Sequence, residues 1–276
     1  MASSPPSYRR PGGRRPGRRA NTAGSGKTWA VGLIAAALVA GGGALIGWKW
    51  VTTVPLDPAN SCPISGPVAV HAVLLDQSDP ISPLQVQRLR QRVNQIVDEA
   101  EIGERIDLYV LAANGMQAMV PRFSLCRPKS GGNMLYENPT RIHNRYVAQF
   151  QKPLEEALTQ LTQPSSSKMS PIMQSIKAVC IAAFGGLPPD VPAKLTIASD
   201  MIEYSSLLDQ YKQRDFEAFS HTPAYNEVVT DCHRARVDVL YLIRPRDVRV
   251  QDRRHEFFWE KFFDHLNATL VRMEPT

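Results

Sequence analysis

Between Thr28 and Gly47 the chain runs for twenty residues without a charged side chain, TWAVGLIAAALVAGGGALIG. A helix rises about 1.5 Å per residue, so this run crosses the roughly 30 Å hydrocarbon core of a bilayer once. Trp29 at one end, and Trp48 and Trp50 at the other, suit the two interfaces, where an indole is half wetted. A cleaved signal peptide has a shorter apolar core and a small-x-small site behind it. Here the bulky Trp48-Lys49-Trp50 follows instead, which points to an uncleaved membrane anchor over residues 28–47. Gly43 and Gly47 form one small-xxx-small pair, so the expected self-association is a homodimer through that helix face.

Charge sets the orientation. The 276 residues hold 32 Lys and Arg against 26 Asp and Glu, a net of +6. Arg9, Arg10, Arg14, Arg15, Arg18, Arg19 and Lys27 lie in residues 1–27 with no acid among them. Everything after that tail has 32 − 7 = 25 basic and 26 acidic residues, a net of −1. The globular part thus lacks the basic excess of a nucleic-acid-binding domain, and no nucleic-acid partner is expected there. The positive-inside rule places residues 1–27, a disordered Pro- and Arg-rich tail, in the cytoplasm. Residues 48–67 form a Pro-rich linker, and residues 68–276 an extracytoplasmic domain. For a bacterial chain that is the inner membrane and the periplasm. Gly24-Ser25-Gly26-Lys27-Thr28 is no phosphate-binding loop, because an arginine and proline tail precedes it where a strand is required.

Beyond Pro67 the hydropathy pattern alternates between strands and helices. Val68 to Leu75 is an apolar run of strand length ending at Asp76. Ser82-Pro83 opens an amphipathic helix that carries Leu89, Val93, Ile96 and Val97 on one face and runs to about Glu101. Ile106 to Ala113 is the next strand, and Asn114-Gly115 turns into another near Ala118 to Leu125. A helix from about Thr140 to Leu161 follows, and Ser170-Pro171 repeats the cap-plus-proline start. Lys194 to Ser199 and Val237 to Ile243 are strands, His255 to Leu266 is a helix, and Ala268 to Met273 is an edge strand. This alternation predicts an α/β fold: a doubly wound, mostly parallel sheet with helices on both faces. The turn between the second and third strands is too short for a crossover, so that one pair is antiparallel.

In such a sheet ligands sit beyond the carboxyl ends of the strands. The first strand ends at Asp76 and a later one at Asp200, while Ser170 opens a helix from the same edge. Asp76, Ser78, Asp79, Ser170 and Asp200 are therefore expected to converge, and carboxylates with hydroxyls are the ligand set of Mg²⁺ or another hard divalent cation. A strand ending in Asp-x-Ser, a helix opening with Ser before Pro, and a strand ending in Ser-Asp together resemble a von Willebrand factor A domain, over roughly Val68 to Met273. The resemblance implies a metal-ion-dependent adhesion site of Asp76, Ser78, Ser170 and Asp200, and a protein partner that completes the metal's coordination. This chain departs from the family at Pro80, where a second serine is usual. Either Asp79 or Ser82 stands in there, or the site has lost its metal.

Cys62, Cys126, Cys180 and Cys232 all follow the apolar run, and an even number in an oxidising compartment predicts two disulfides. Three pairings exist; Cys126 with Cys180 and Cys62 with Cys232 is the one expected. The coarse topology puts all four at the strands' amino-terminal pole. His71 alternates within a strand as a core group, Cys232-His233 lacks the second pair of a zinc site, and no Gly-x-Ser-x-Gly elbow is present. Phe257, Phe258, Trp259, Phe262 and Phe263 cannot all face the sheet, and Trp259 is expected outside as a partner contact. The expected function is a non-enzymatic, membrane-anchored interaction module. Its alternative is a Mg²⁺-dependent phosphoryl-transfer or hydrolytic enzyme on the same carboxylates.

Overall fold

The computed structural model describes residues 31–39, 41, 55–111, 119–134, 137–163 and 167–276. It divides into two units, Met1–Thr53 and Val54–Thr276. In the first, residues 31–39 and 41 are helical. Among the described residues no helix is long and apolar enough to cross a membrane. The basic tail, most of the expected span and the Gly43–Gly47 pair lie outside the described residues, as does the Asn114-Gly115 turn.

The second unit is a six-stranded sheet of β1 (Val70–Leu75), β2 (Arg105–Val110), β3 (Phe123–Cys126), β4 (Ala193–Ser199), β5 (Arg236–Tyr241) and β6 (Thr269–Pro275), in the order β3-β2-β1-β4-β5-β6. β2 and β3 pair antiparallel and every other neighbour is parallel. The sheet is mixed α/β as expected. The described antiparallel strand is shorter than its pattern suggested, four residues at the edge.

Alternation along β1 divides the core. Val70, Ala72 and Leu74 face a cluster built with α4 (Ile172–Val179), α5 (Phe216–Ser220), α6 (Pro223–Val228) and α7 (Arg253–His265). Val73 and Leu75 face the opposite cluster, built with α1 (Pro83–Glu99) and α3 (Lys152–Leu161). α3 continues α2 (Pro139–Tyr146) through a π turn at Val147–Gln151. β1 is buried along its whole length because helices cover both faces, which is why its sequence reads as a continuous apolar run.

Two expectations need correcting here. The disulfides are Cys62–Cys126 and Cys180–Cys232. The expected pairing fails on strand order. Cys126 ends the edge strand β3, where its N–H donates to the Asn60 carbonyl at 2.9 Å, while Cys232 leads into β5. β3 and β5 are four strand spacings apart, about 19 Å, beyond the reach of any disulfide. Trp259 is the second correction. It is fully buried, and its Nε1–H donates to the Met201 carbonyl at 2.8 Å. Helical spacing explains this: His255, Phe258, Trp259, Phe262, Phe263 and Leu266 form one inward stripe, and Phe257, at 55% exposure, is the aromatic left outside.

Candidate functional site

Strand order reverses between β1 and β4, which both neighbour each other and diverge in connectivity. The crevice beyond their carboxyl ends is where an open α/β sheet presents ligand-binding groups. Asp76 follows β1 and Asp200 follows β4, so register alone brings them to the same rim.

Each carboxylate uses both of its oxygens. Oδ1 of Asp76 accepts from the Ser78 N–H at 2.8 Å, and Oδ1 of Asp200 accepts from the Ile202 N–H at 3.0 Å. These are Asx turns, the local device that lets the chain leave a strand sharply. The second oxygens reach other segments. Oδ2 of Asp76 accepts from the Ser199 hydroxyl at 2.7 Å and from the Ser170 hydroxyl at 3.3 Å. Oδ2 of Asp200 accepts from the Arg244 Nε–H at 3.1 Å. Ser78 is buried, and with Asp79, Ser170 and Asp200 it lines a cavity of about 200 Å³ whose other walls include Tyr204, Tyr211 and Arg246.

Ser170 reaches Asp76 because it does not cap α4. Pro171 holds the cap position, and Ser170 instead pairs backbone to backbone with Tyr204 at 2.8 and 3.1 Å, leaving its hydroxyl free to point at the carboxylate. The α4 amino end is completed by Glu203, whose Oε2 accepts from the Met173 N–H at 2.9 Å. Burial pushes the Glu203 carboxyl up to about 7. The same desolvation, with the nearby Asp76 charge, raises Asp200 to about 6.

The remaining expected residues divide. Asp79 lines the cavity, but both its oxygens accept from Arg246 Nη2 at 2.8 Å. Ser82 does not line the cavity: its hydroxyl accepts from the Gln85 N–H in a capping box that starts α1. Sequence reasoning missed Ser199, Arg244 and Arg246. The strand-end rule that found the two acids applies equally to Arg244, three residues past β5, and would have placed it against Asp200.

The donor chemistry fits a hard cation. Ser78, Ser170 and Asp200 line the cavity with oxygen ligands, and Asp76 lies behind them, bonded to the Ser170 hydroxyl. Among the described residues no group of three or more His, Cys, Asp or Glu side chains could hold a metal ion, so the hydroxyls are essential to any such site. Arg244 is the competing feature. Its guanidinium is nearly buried, and Nη1–H donates to the Pro80 carbonyl at 2.7 Å. The Pro80 carbonyl thus helps hold a protein cation against Asp200.

No family model matches the sequence, and no curated protein matches it. Among solved structures the chain is similar to the conserved hypothetical protein BatB from Bacteroides thetaiotaomicron, at 12% identity and a TM-score of 0.40, over 75% of this chain and 91% of that one. An aerotolerance-related membrane protein from Bacteroides fragilis is similar at 11% identity and a TM-score of 0.36, over 75% and 90% of the two chains. The SpRpn10 VWA domain is similar at 11% identity and a TM-score of 0.37, over 75% and 89%.

Proposed function

We propose that this chain is a membrane-anchored protein-interaction module whose extracytoplasmic domain meets a partner protein at the β1–β4 rim. Residues 28–47 form the single anchor, with the amino terminus in the cytoplasm and the domain in the periplasm of a bacterial cell. The two disulfides support that placement, since such bonds persist in oxidising compartments. In this reading the rim holds Mg²⁺ or a similar divalent cation through Asp76, Ser78, Ser170 and Asp200, directly or through water, and the cation presents an open position to a partner's carboxylate.

One observation carries the proposal. Asp76 collects hydroxyls from two segments far apart in sequence, Ser170 and Ser199, and Ser170 in turn lines a cavity together with Asp200. The test is thermal melting of the full chain in detergent micelles with and without Mg²⁺. A cation at one hundred times its Kd stabilises by about 2.7 kcal/mol, and Asp76→Asn should abolish the shift. No shift with any divalent ion would remove the cation from the reading. Turnover of p-nitrophenyl phosphate that is lost in Asp76→Asn would favour the phosphoryl-transfer alternative instead.

A further inference from the structure

A second concave surface lies along α7 and shares no lining residue with the rim cavity. It is a groove of about 1030 Å³ between residues 212–217 and the outer side of α7, with Phe216 and His265 among its lining. Small-molecule pockets range over about 300–1,000 Å³, so this one is sized for a segment of chain. Arg214 fixes the 212–217 wall by donating from Nη1 to the carbonyls of Arg249 and Val250 at 2.8 and 3.0 Å.

The α7 wall has a sharp pattern. Arg253, Phe257, Lys261 and His265 recur every fourth residue and line the groove. Phe257 is more than half exposed, and Lys261 Nζ stands 5.4 Å from its ring centroid. Arg253, Arg254 and Lys261 make no ion pair among the described residues, whereas Arg214 is paired with Asp252 and Lys212 with Asp209. Glu256, Glu260 and Asp264 form a neighbouring acidic row that does not line the groove. Two acids also line it, Asp215, which caps α5, and the exposed Glu217, 3.9 Å from His221, against the five Lys and Arg side chains of the lining.

We propose that this groove binds an acidic segment of a partner protein, with Arg253, Arg254 and Lys261 receiving its carboxylates and Phe257 an apolar side chain. Unpaired cations beside an exposed aromatic are the composition of an interaction hot spot. Concavity and the flanking acidic row select the occupant. A membrane surface or a nucleic-acid backbone meeting this helix would confront Glu256, Glu260 and Asp264, which a narrow segment inside the groove avoids. The chain's own tail is excluded by sign, since residues 1–27 carry +7. The inference goes beyond the rim reading and needs no metal.

The test uses the full chain in detergent micelles and a fluorescein-labelled poly-Glu peptide carrying one leucine, read by fluorescence anisotropy. The expected result is salt-sensitive binding that weakens at least about tenfold in Arg253→Gln/Arg254→Gln/Lys261→Gln. Phe257→Ala should weaken it about threefold without changing the salt dependence, which separates seating in the groove from general charge attraction. Arg253, Arg254 and Phe257 are exposed and Lys261 is half-buried, so the variants should fold as the parent does, checked by circular dichroism. Equal affinity in the parent and the triple variant overturns the proposal. So does tighter binding of phosphatidylglycerol vesicles or single-stranded DNA than of the peptide, where that binding is lost in the triple variant. Asp76→Asn should leave peptide binding unchanged, so failure at the rim and failure at the groove are told apart.

Discussion

The two poles of the sheet are held together by different chemistry. At the amino pole Cys62–Cys126 ties the segment before β1 to the antiparallel edge, and Cys180–Cys232 ties the end of α4 to the approach to β5. These links have no dependence on ions or on ordinary changes of pH. At the carboxyl pole the chain crossings rest on side-chain contacts to Asp76 and Asp200, on Arg244 and on Arg246. Every one of those contacts involves a charge. The amino pole carries ion pairs as well, Lys194 with Glu104 and Arg105 with Asp107, so what sets it apart is the covalent links laid over them.

Breaking the covalent pole should have the largest effect. The bonds close separations of 64 and 52 residues, and constraint of the unfolded chain is worth about 4 kcal/mol for each. Full reduction should lower the Tm by on the order of 20 °C, measured by scanning calorimetry with and without a phosphine reductant. Mg²⁺ should still shift the melting of the reduced protein, because neither bond touches the rim.

At the other pole, Arg244→Leu leaves the buried Asp200 carboxylate without its cation. The expected loss is about 3 kcal/mol at pH 7.5. Its pH dependence has a definite sign. Burial and the Asp76 charge raise Asp200 to about 6, so the folded chain takes up that proton more readily than the unfolded one. Arg244 holds Asp200 down, so without it the carboxyl rises further, and the loss should shrink as pH falls towards about 6 and level off below it, followed by urea unfolding at several pH values. A variant that stays equally unstable at pH 5 would show that Arg244 acts by packing and not by charge. The same substitution frees Asp200, and the Mg²⁺-induced shift should grow.

The smallest effect sharpens the boundary of the rim. Ser82→Ala removes the hydroxyl half of the α1 capping box and should cost about 1 kcal/mol with no change in the Mg²⁺ response. An altered Mg²⁺ response would return Ser82 to the ligand set.

Much of the fold was legible because it is written in local periodicities. The alternation of apolar strands with helices at 3.6-residue spacing located β1, α1, β4, β5 and α7 to within a few residues. The convergence of Asp76, Ser170 and Asp200 followed from one general rule about strand ends. Strand order was not legible, and the disulfide pairing depends on it: nothing local in Cys126 or Cys232 says that two strands stand between β3 and β4. Trp259 is a different kind of miss. The spacing of His255, Phe258, Phe262 and Leu266 already placed it inward, and Phe257 alone among the five aromatics falls off that stripe. Arg244, three residues past β5, was within reach of the same strand-end rule, which marks a cation there as readily as an acid.

Of the four tryptophans, Trp259 alone lies beyond residue 50, and its indole donates to the carbonyl of the residue after Asp200. Any fragment beginning after Trp50 is therefore a single-indole protein, with its natural fluorophore in a dry site next to the rim. Its emission would report on the backbone around Asp200 with no label attached.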